Sequence, residues 1–110
     1  MEGAKKIAEE QLEPIAAKCD SVEPRLENGE VILVPELKPA IDELVNAGFI
    51  GASFPEEWGG MGIPYSVYSA CAAIFSAANL PAIGYPFLTI AAANLLLAHG
   101  SPEQKETYLR

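Results

Sequence analysis

With 110 residues, half of them hydrophobic and a fifth charged, the chain has room for one globular domain and a modest core. Its formal net charge of -8, from 15 acidic and 7 basic side chains, argues against nucleic acid or anionic membrane as a partner, since both require a basic face. Two cysteines, Cys19 and Cys71, and a single histidine, His99, are too few for a disulfide framework or a zinc site, so free thiols are expected.

The first turn is charged and lacks an apolar h-region, so no signal peptide is read and the cytoplasm or an organelle matrix is the expected location. Residues 2–19 carry Ile7, Leu12, Ile15 and Ala16 among lysines and glutamates, which predicts an amphipathic helix with one narrow apolar stripe. Pro14 predicts a kink, or a new helix start after Glu13. The polar stretch that follows contains Pro24 and the pair Asn28-Gly29. Asn-Gly favours a tight turn with positive φ, which makes Arg25–Glu27 and Glu30–Val34 the arms of a small hairpin.

From Glu36 to Ala47, Leu37, Ile41, Leu44 and Val45 recur at i, i+4, i+7 and i+8, a helix that Gly48 is placed to stop. Residues 49–64 hold Pro55, Gly59, Gly60, Gly62 and Pro64, the chemistry of a loop. Trp58 is expected to plug that loop onto the helix ends, and Glu56 and Glu57 to be solvated. A further helix opens at Pro64 or Ser66 and runs to about Ala78, with Tyr65, Tyr68, Ile74 and Phe75 as its core-packing face. Asn79-Leu80-Pro81 breaks it, and the next helix runs from about Ala82 to His99 with Pro86 near its start. His99 is placed to cap the last carbonyls and meet the helix dipole, and Gly100 closes the turn. Ser101-Pro102-Glu103-Gln104 is a strong start signal for one more helix, with Ser as N-cap, Pro at the first position and Gln completing a capping box. The expected fold class is all-α, about five helices with one small hairpin near 25–34.

The distribution of charge is the most informative feature. From Trp58 to Pro102 there is no Asp, Glu, Lys or Arg. A helix that faces water carries charge on that side, and one apolar all round is buried. Two successive uncharged helices need cover on nearly every face, more than a domain of this size supplies. A membrane hairpin is disfavoured, because Pro81, Gly84 and Pro86 interrupt the run and neither half reaches about 20 strongly apolar residues. The expected cover is protein outside this chain, and the stop in mid-helix at Arg110 favours a missing downstream domain over a partner subunit.

Two stretches carry a family resemblance. The run from Ala47 through Pro55-Glu56-Glu57-Trp58-Gly59-Gly60-Met61-Gly62 to Pro64 resembles the N-terminal domain of acyl-CoA dehydrogenases, and Gly100-Ser101-Pro102-Glu103-Gln104-Lys105-Glu106-Thr107-Tyr108-Leu109 resembles the turn into that domain's next helix. They stand in the family's order and at its separation. The resemblance covers residues 36–110 well and 2–35 weakly. Leu26-Glu27-Asn28-Gly29-Glu30 and the stretch from Ala77 to Pro86 resemble the branch that includes the 3-methylmercaptopropionyl-CoA dehydrogenases.

The resemblance implies an FAD-dependent parent enzyme that oxidises acyl-CoA to 2,3-enoyl-CoA. A glutamate removes the α-proton, and the β-hydride passes to the flavin. It further implies that a middle β-domain and a C-terminal helical bundle hold the flavin and the base, so this chain is the N-terminal α-helical domain of a larger protein. No residue here is assigned a catalytic, flavin-binding or metal-binding role, and the fragment alone is expected to be inactive. Partners implied for the parent are the downstream domains, an acyl-CoA, an electron acceptor and further copies of itself. Matched backward from Gly100, the part of the fourth helix that lines the end of the acyl pocket becomes Ile83, Gly84, Tyr85, Phe87, Leu88 and Ala91. Bulky Tyr85 or Phe87 would shorten that pocket and favour small acyl groups. The competing reading from the residues alone is a free-standing helical interaction module that buries its uncharged hairpin by self-association.

Overall fold

A proline without an N–H, placed more than three turns into an amphipathic run, has to disturb the helix that contains it. In a computed structural model of the protein, which describes residues 1–109, the disturbance is spread over two turns. Helix α1 (Glu2–Ile7) widens into a π-helical turn at Ala8–Leu12, then tightens into a 3-10 turn at Glu13–Ile15 containing Pro14, and resumes as α2 (Ala16–Ser21). The expected kink is there. Its buried stripe is made by Ala4, Ala8 and Leu12, with Ile7 and Ile15 only partly covered. The small alanines face the core where the larger side chains were expected.

The hairpin forms from β1 (Arg25–Glu27) and β2 (Glu30–Ile32), shorter by two residues at its second arm than expected. The strands are antiparallel, with Arg25 opposite Ile32, Leu26 opposite Val31 and Glu27 opposite Glu30. Asn28 at φ 51° and Gly29 at φ 85° supply the turn.

Helix α3 (Leu37–Asn46) buries Leu37, Ala40 and Leu44, with Ile41 at the flank. Val45, expected on that stripe, points to solvent. The helix ends in a Schellman arrangement: Gly48 N–H donates to the Val45 carbonyl at 2.9 Å and Phe49 N–H to the Leu44 carbonyl at 3.0 Å. Gly48 takes φ 76°, a conformation that a side chain would strain. The turn delivers Phe49 edge-on to Phe75, with ring centroids 4.9 Å apart.

The glycine-rich loop then folds on itself. Phe54 N–H donates to Gly51 O (2.9 Å), Gly60 N–H to Pro55 O (3.1 Å) and Ile63 N–H to Ala52 O (3.0 Å). A short 3-10 turn, Glu56–Trp58, sits inside it. Glu56 and Glu57 are exposed, as expected of solvated loop carboxylates, and Trp58 is half-buried.

Helices α4 (Tyr65–Ala78) and α5 (Leu80–His99) follow, and α6 (Pro102–Tyr108) closes the described residues. Tyr68 and Phe75 of α4 are buried, whereas Tyr65, expected beside them, is exposed and lies against the Tyr68 ring at 5.7 Å. The break between α4 and α5 is a single residue. Asn79 is the N-cap of α5, and Leu80 and Pro81, expected in the break, already belong to its first turn. The capping box of α6 is complete, with Gln104 N–H donating to Ser101 Oγ and Ser101 N–H to Gln104 Oε1. At the end of α5 the capping bond runs from Gly100 N–H to Leu96 O at 2.8 Å, while His99 stands exposed in the last turn. Counting residues 2–21 as one kinked rod, the described residues make the all-α domain of five helices that was expected, with its hairpin.

The main core joins Ala8, Leu12, Leu37, Leu44, Phe75 and Ile83, and a smaller cluster under the loop joins Ala52, Tyr68 and Ile90. Cys19 and Cys71 are free thiols. The described residues measure 41 × 39 × 18 Å, a flat slab.

On the rim of the slab Lys18 Nζ meets Glu36 Oε1 at 2.5 Å, linking α2 to the start of α3. That hydrogen bond, helped by the backbone, holds the Glu36 carboxyl below its ordinary value. A pKa depressed by folding stabilises at neutral pH, and the stabilisation is lost as pH falls through the folded value. The pair is exposed, so the contribution is small and screened by salt. Glu36→Gln should therefore melt slightly below the wild type at neutral pH and low salt. Melting curves of the two should converge in acid and in high salt.

Candidate functional site

Helix α5 has two faces, and among the described residues only one is packed against the rest of the domain. Ala82, Ile83, Pro86 and Ile90 form the buried stripe, which packs on α3, α4 and the loop cluster. About half a turn away, Leu80, Gly84, Phe87, Leu88, Ala91 and Leu95 form a continuous outward face. Phe87 is 55% exposed and Leu88 73% exposed, with no charged side chain between them and the helix ends. An uncharged apolar surface of this extent on one helix marks an interaction site.

The six residues expected at the pocket divide over this geometry. Gly84, Phe87, Leu88 and Ala91 share the outward face. Phe87 also overhangs a shallow groove between α4 and α5 that is walled by Ser76, Leu80 and Ile83. Tyr85 stands at the edge, 42% exposed, where with Pro81 it borders a separate depression lined by Cys19, Leu33, Val34 and Leu37. Ile83 points the other way and is a core residue, 6% exposed. Leu80 and Leu95 belong to the outward face as well. Their spacing of four, then seven and eight residues around Gly84, Leu88 and Ala91 carries that information in the sequence.

The polar content of the region is low. Thr89 returns its hydroxyl to the Tyr85 carbonyl at 3.5 Å, a bond within the helix. Beneath the face, burial pushes the Tyr68 phenol above its ordinary value, with a smaller push from neighbouring Tyr65. In an ultraviolet titration, one tyrosine is expected to ionise above the ordinary phenol pH, and Tyr68→Phe should remove that late step.

Such a surface suits a hydrocarbon chain. It does not suit a flavin dinucleotide, whose pyrophosphate needs cationic or backbone N–H donors. At the N-terminus of α5 the N–H of buried Ala82 is already taken by the helix's own cap, donating to Asn79 Oδ1. Among the described residues α5 is the one helix long and apolar enough to cross a membrane, at a mean hydropathy of 1.6. Its buried stripe of Ala82, Ile83, Pro86 and Ile90 distinguishes it from a helix solvated by lipid on all sides.

The acyl-CoA dehydrogenase N-terminal domain matches the chain over residues 1–110. A 3-methylmercaptopropionyl-CoA dehydrogenase from Ruegeria pomeroyi is 38% identical over 100 residues, which cover 91% of this chain and 17% of that relative. The chain thus spans about a sixth of the relative's length. With its helical order, its glycine-rich loop and its match from end to end, the chain belongs to the acyl-CoA dehydrogenase family, whose N-terminal domain it represents.

Proposed function

We propose that this chain is the N-terminal helical domain of an FAD-dependent enzyme that oxidises an acyl-CoA to its 2,3-enoyl-CoA, and that the outward face of α5 forms the end wall of the acyl pocket. The observation that carries the reading is the uncharged face from Leu80 to Leu95, exposed in the chain yet composed like an interior. In this reading the downstream domains cover that face, hold the flavin and supply the base that takes the α-proton. The residues described here do no bond-making; they exclude water and limit the length of the acyl group. The parent would be a homo-oligomer that passes electrons to an external acceptor, and the 110-residue chain alone would show no acyl-CoA oxidation.

Phe87 is the bulkiest residue of the face, and in this reading it closes the end of the pocket. Each methylene that a deeper pocket accepts is worth about 0.8 kcal/mol, about fourfold in kcat/KM. Phe87→Ala in the full-length enzyme should therefore raise kcat/KM for longer acyl-CoA thioesters relative to the preferred one. An unchanged chain-length profile would remove Phe87 from the pocket and this role from α5.

A further inference from the structure

Among the described residues the buried polar side chain is Asn79, 2% exposed, and it makes two hydrogen bonds that tie distant parts of the chain. Its Oδ1 accepts from Ala82 N–H at 3.0 Å, which caps α5. Its Nδ2 donates to the Leu12 carbonyl at 3.0 Å, 67 residues away. That carbonyl is available because of the disturbance around Pro14. In a regular helix Leu12 O would receive Ala16 N–H, but in the 3-10 turn Ala16 N–H goes to Glu13 O. The proline kink and the helix break are two halves of one joint.

We infer that Asn79 is a positioning residue for the acyl pocket: its paired bonds to Leu12 and Ala82 set the angle at which α5 leaves α4, and so the place of Phe87 and Leu88. This rests on the proposed role of α5 as pocket wall. Asn79 is the single residue between the two helices, so any change there passes directly into α5. Phe87 lies eight residues along, about 12 Å of helix rise, so a tilt of about 10° moves it by about 2 Å. Displacements of that order alter how a bound chain is held.

The test uses the full-length flavoprotein and kcat/KM for short, medium and long straight-chain acyl-CoA thioesters. Asn79→Ser keeps an N-cap oxygen for Ala82 but is too short to reach Leu12. The expected result is that the ratio of kcat/KM between the preferred thioester and the next longer one falls by about tenfold, chiefly through KM, while flavin stays bound. A lower melting temperature with the ratio unchanged would make Asn79 an ordinary structural residue and overturn the inference. Should Asn79→Ser not yield folded protein, Pro14→Ala decides. Its site is exposed, and a regular helix there returns Ala16 N–H to Leu12 O, so that Asn79 Nδ2 competes for a carbonyl turned into the helix ladder. The same drop in ratio supports the joint; no change contradicts it. Phe87→Ala in parallel separates the two claims. If it shifts the preference and the joint variants do not, only the inference fails. If none of them shifts it, the pocket-wall reading fails too.

Discussion

Gly60→Ala is expected to cost about 3–4 kcal/mol of stability, more than any other single methyl added to the glycine-rich loop. A Cβ at this position would lie 2.0 Å from the Phe54 carbonyl oxygen and 2.7 Å from that of Gly51. Both obstacles are backbone, so no rotamer change relieves them. Moving Phe54 also breaks the bond that its carbonyl accepts from Gly62 N–H at 2.9 Å. Ala52, fully buried in that loop, would lose its packing against Tyr68 and Ile90. The disturbance therefore reaches α5. Gly59 is the internal control, since nothing lies within 4 Å of its would-be Cβ although it takes φ 80°. Gly59→Ala should cost only the left-handed penalty, about 1–2 kcal/mol. Thermal melts of the two variants check the order. A Gly60 variant as stable as the Gly59 variant would mean that the loop is not closed as described.

Leu44→Ala carries the second large effect. Leu44 is 1% exposed in the last turn of α3, in one cluster with Leu37 and the Phe49–Phe75 pair, while its neighbour Val45 is 53% exposed. Truncating a buried leucine costs about 2–5 kcal/mol from lost transfer energy and the cavity left behind. Val45→Ala removes little contact and replaces a β-branched residue with a better helix former, so it should fall within about 0.5 kcal/mol of wild type. Measured by denaturant unfolding, the pair tests which side of α3 faces inward. Equal losses at both positions would place the buried stripe elsewhere.

The outline of the fold was legible because each element carries local chemistry with one reading. Asn28-Gly29 set the hairpin, Gly48 the end of α3, and Ser101 with Gln104 the start of α6. The uncharged run from 58 to 102 announced helices with too little cover, and α5 has a whole face without any. What was hidden depends on distant partners. Val45 fits the helical stripe as well as Ile41 does, and only the placing of α3 on α5 and on the turn at Ala8–Leu12 turns it outward. Ala4 and Ala8 look like fillers, yet at 0% and 3% exposure they face the core where helices approach closely. Asn79 read as a helix breaker in the company of Pro81. Its role as a cap is local and was open to reading, but its bond to Leu12 is not, since that carbonyl is released only by the geometry around Pro14.

At the pocket, matching backward from Gly100 finds the segment but not its faces. Periodicity separates them: Gly84, Leu88 and Ala91 follow one another at helical spacing with Leu80 and Leu95, and Ile83 falls on the stripe with Ala82, Pro86 and Ile90. Tyr85 sits between the two.

The outward face of α5 admits one other occupant, a second copy of this same chain, as in a free-standing oligomerisation module. The intact mass of the protein isolated from its source, taken with the absorbance spectrum of the same sample, separates the two. The account predicts a polypeptide several times heavier than 11.7 kDa that carries flavin absorbance. A soluble, flavin-free assembly of 11.7 kDa chains would contradict it and leave α5 as an interface between copies.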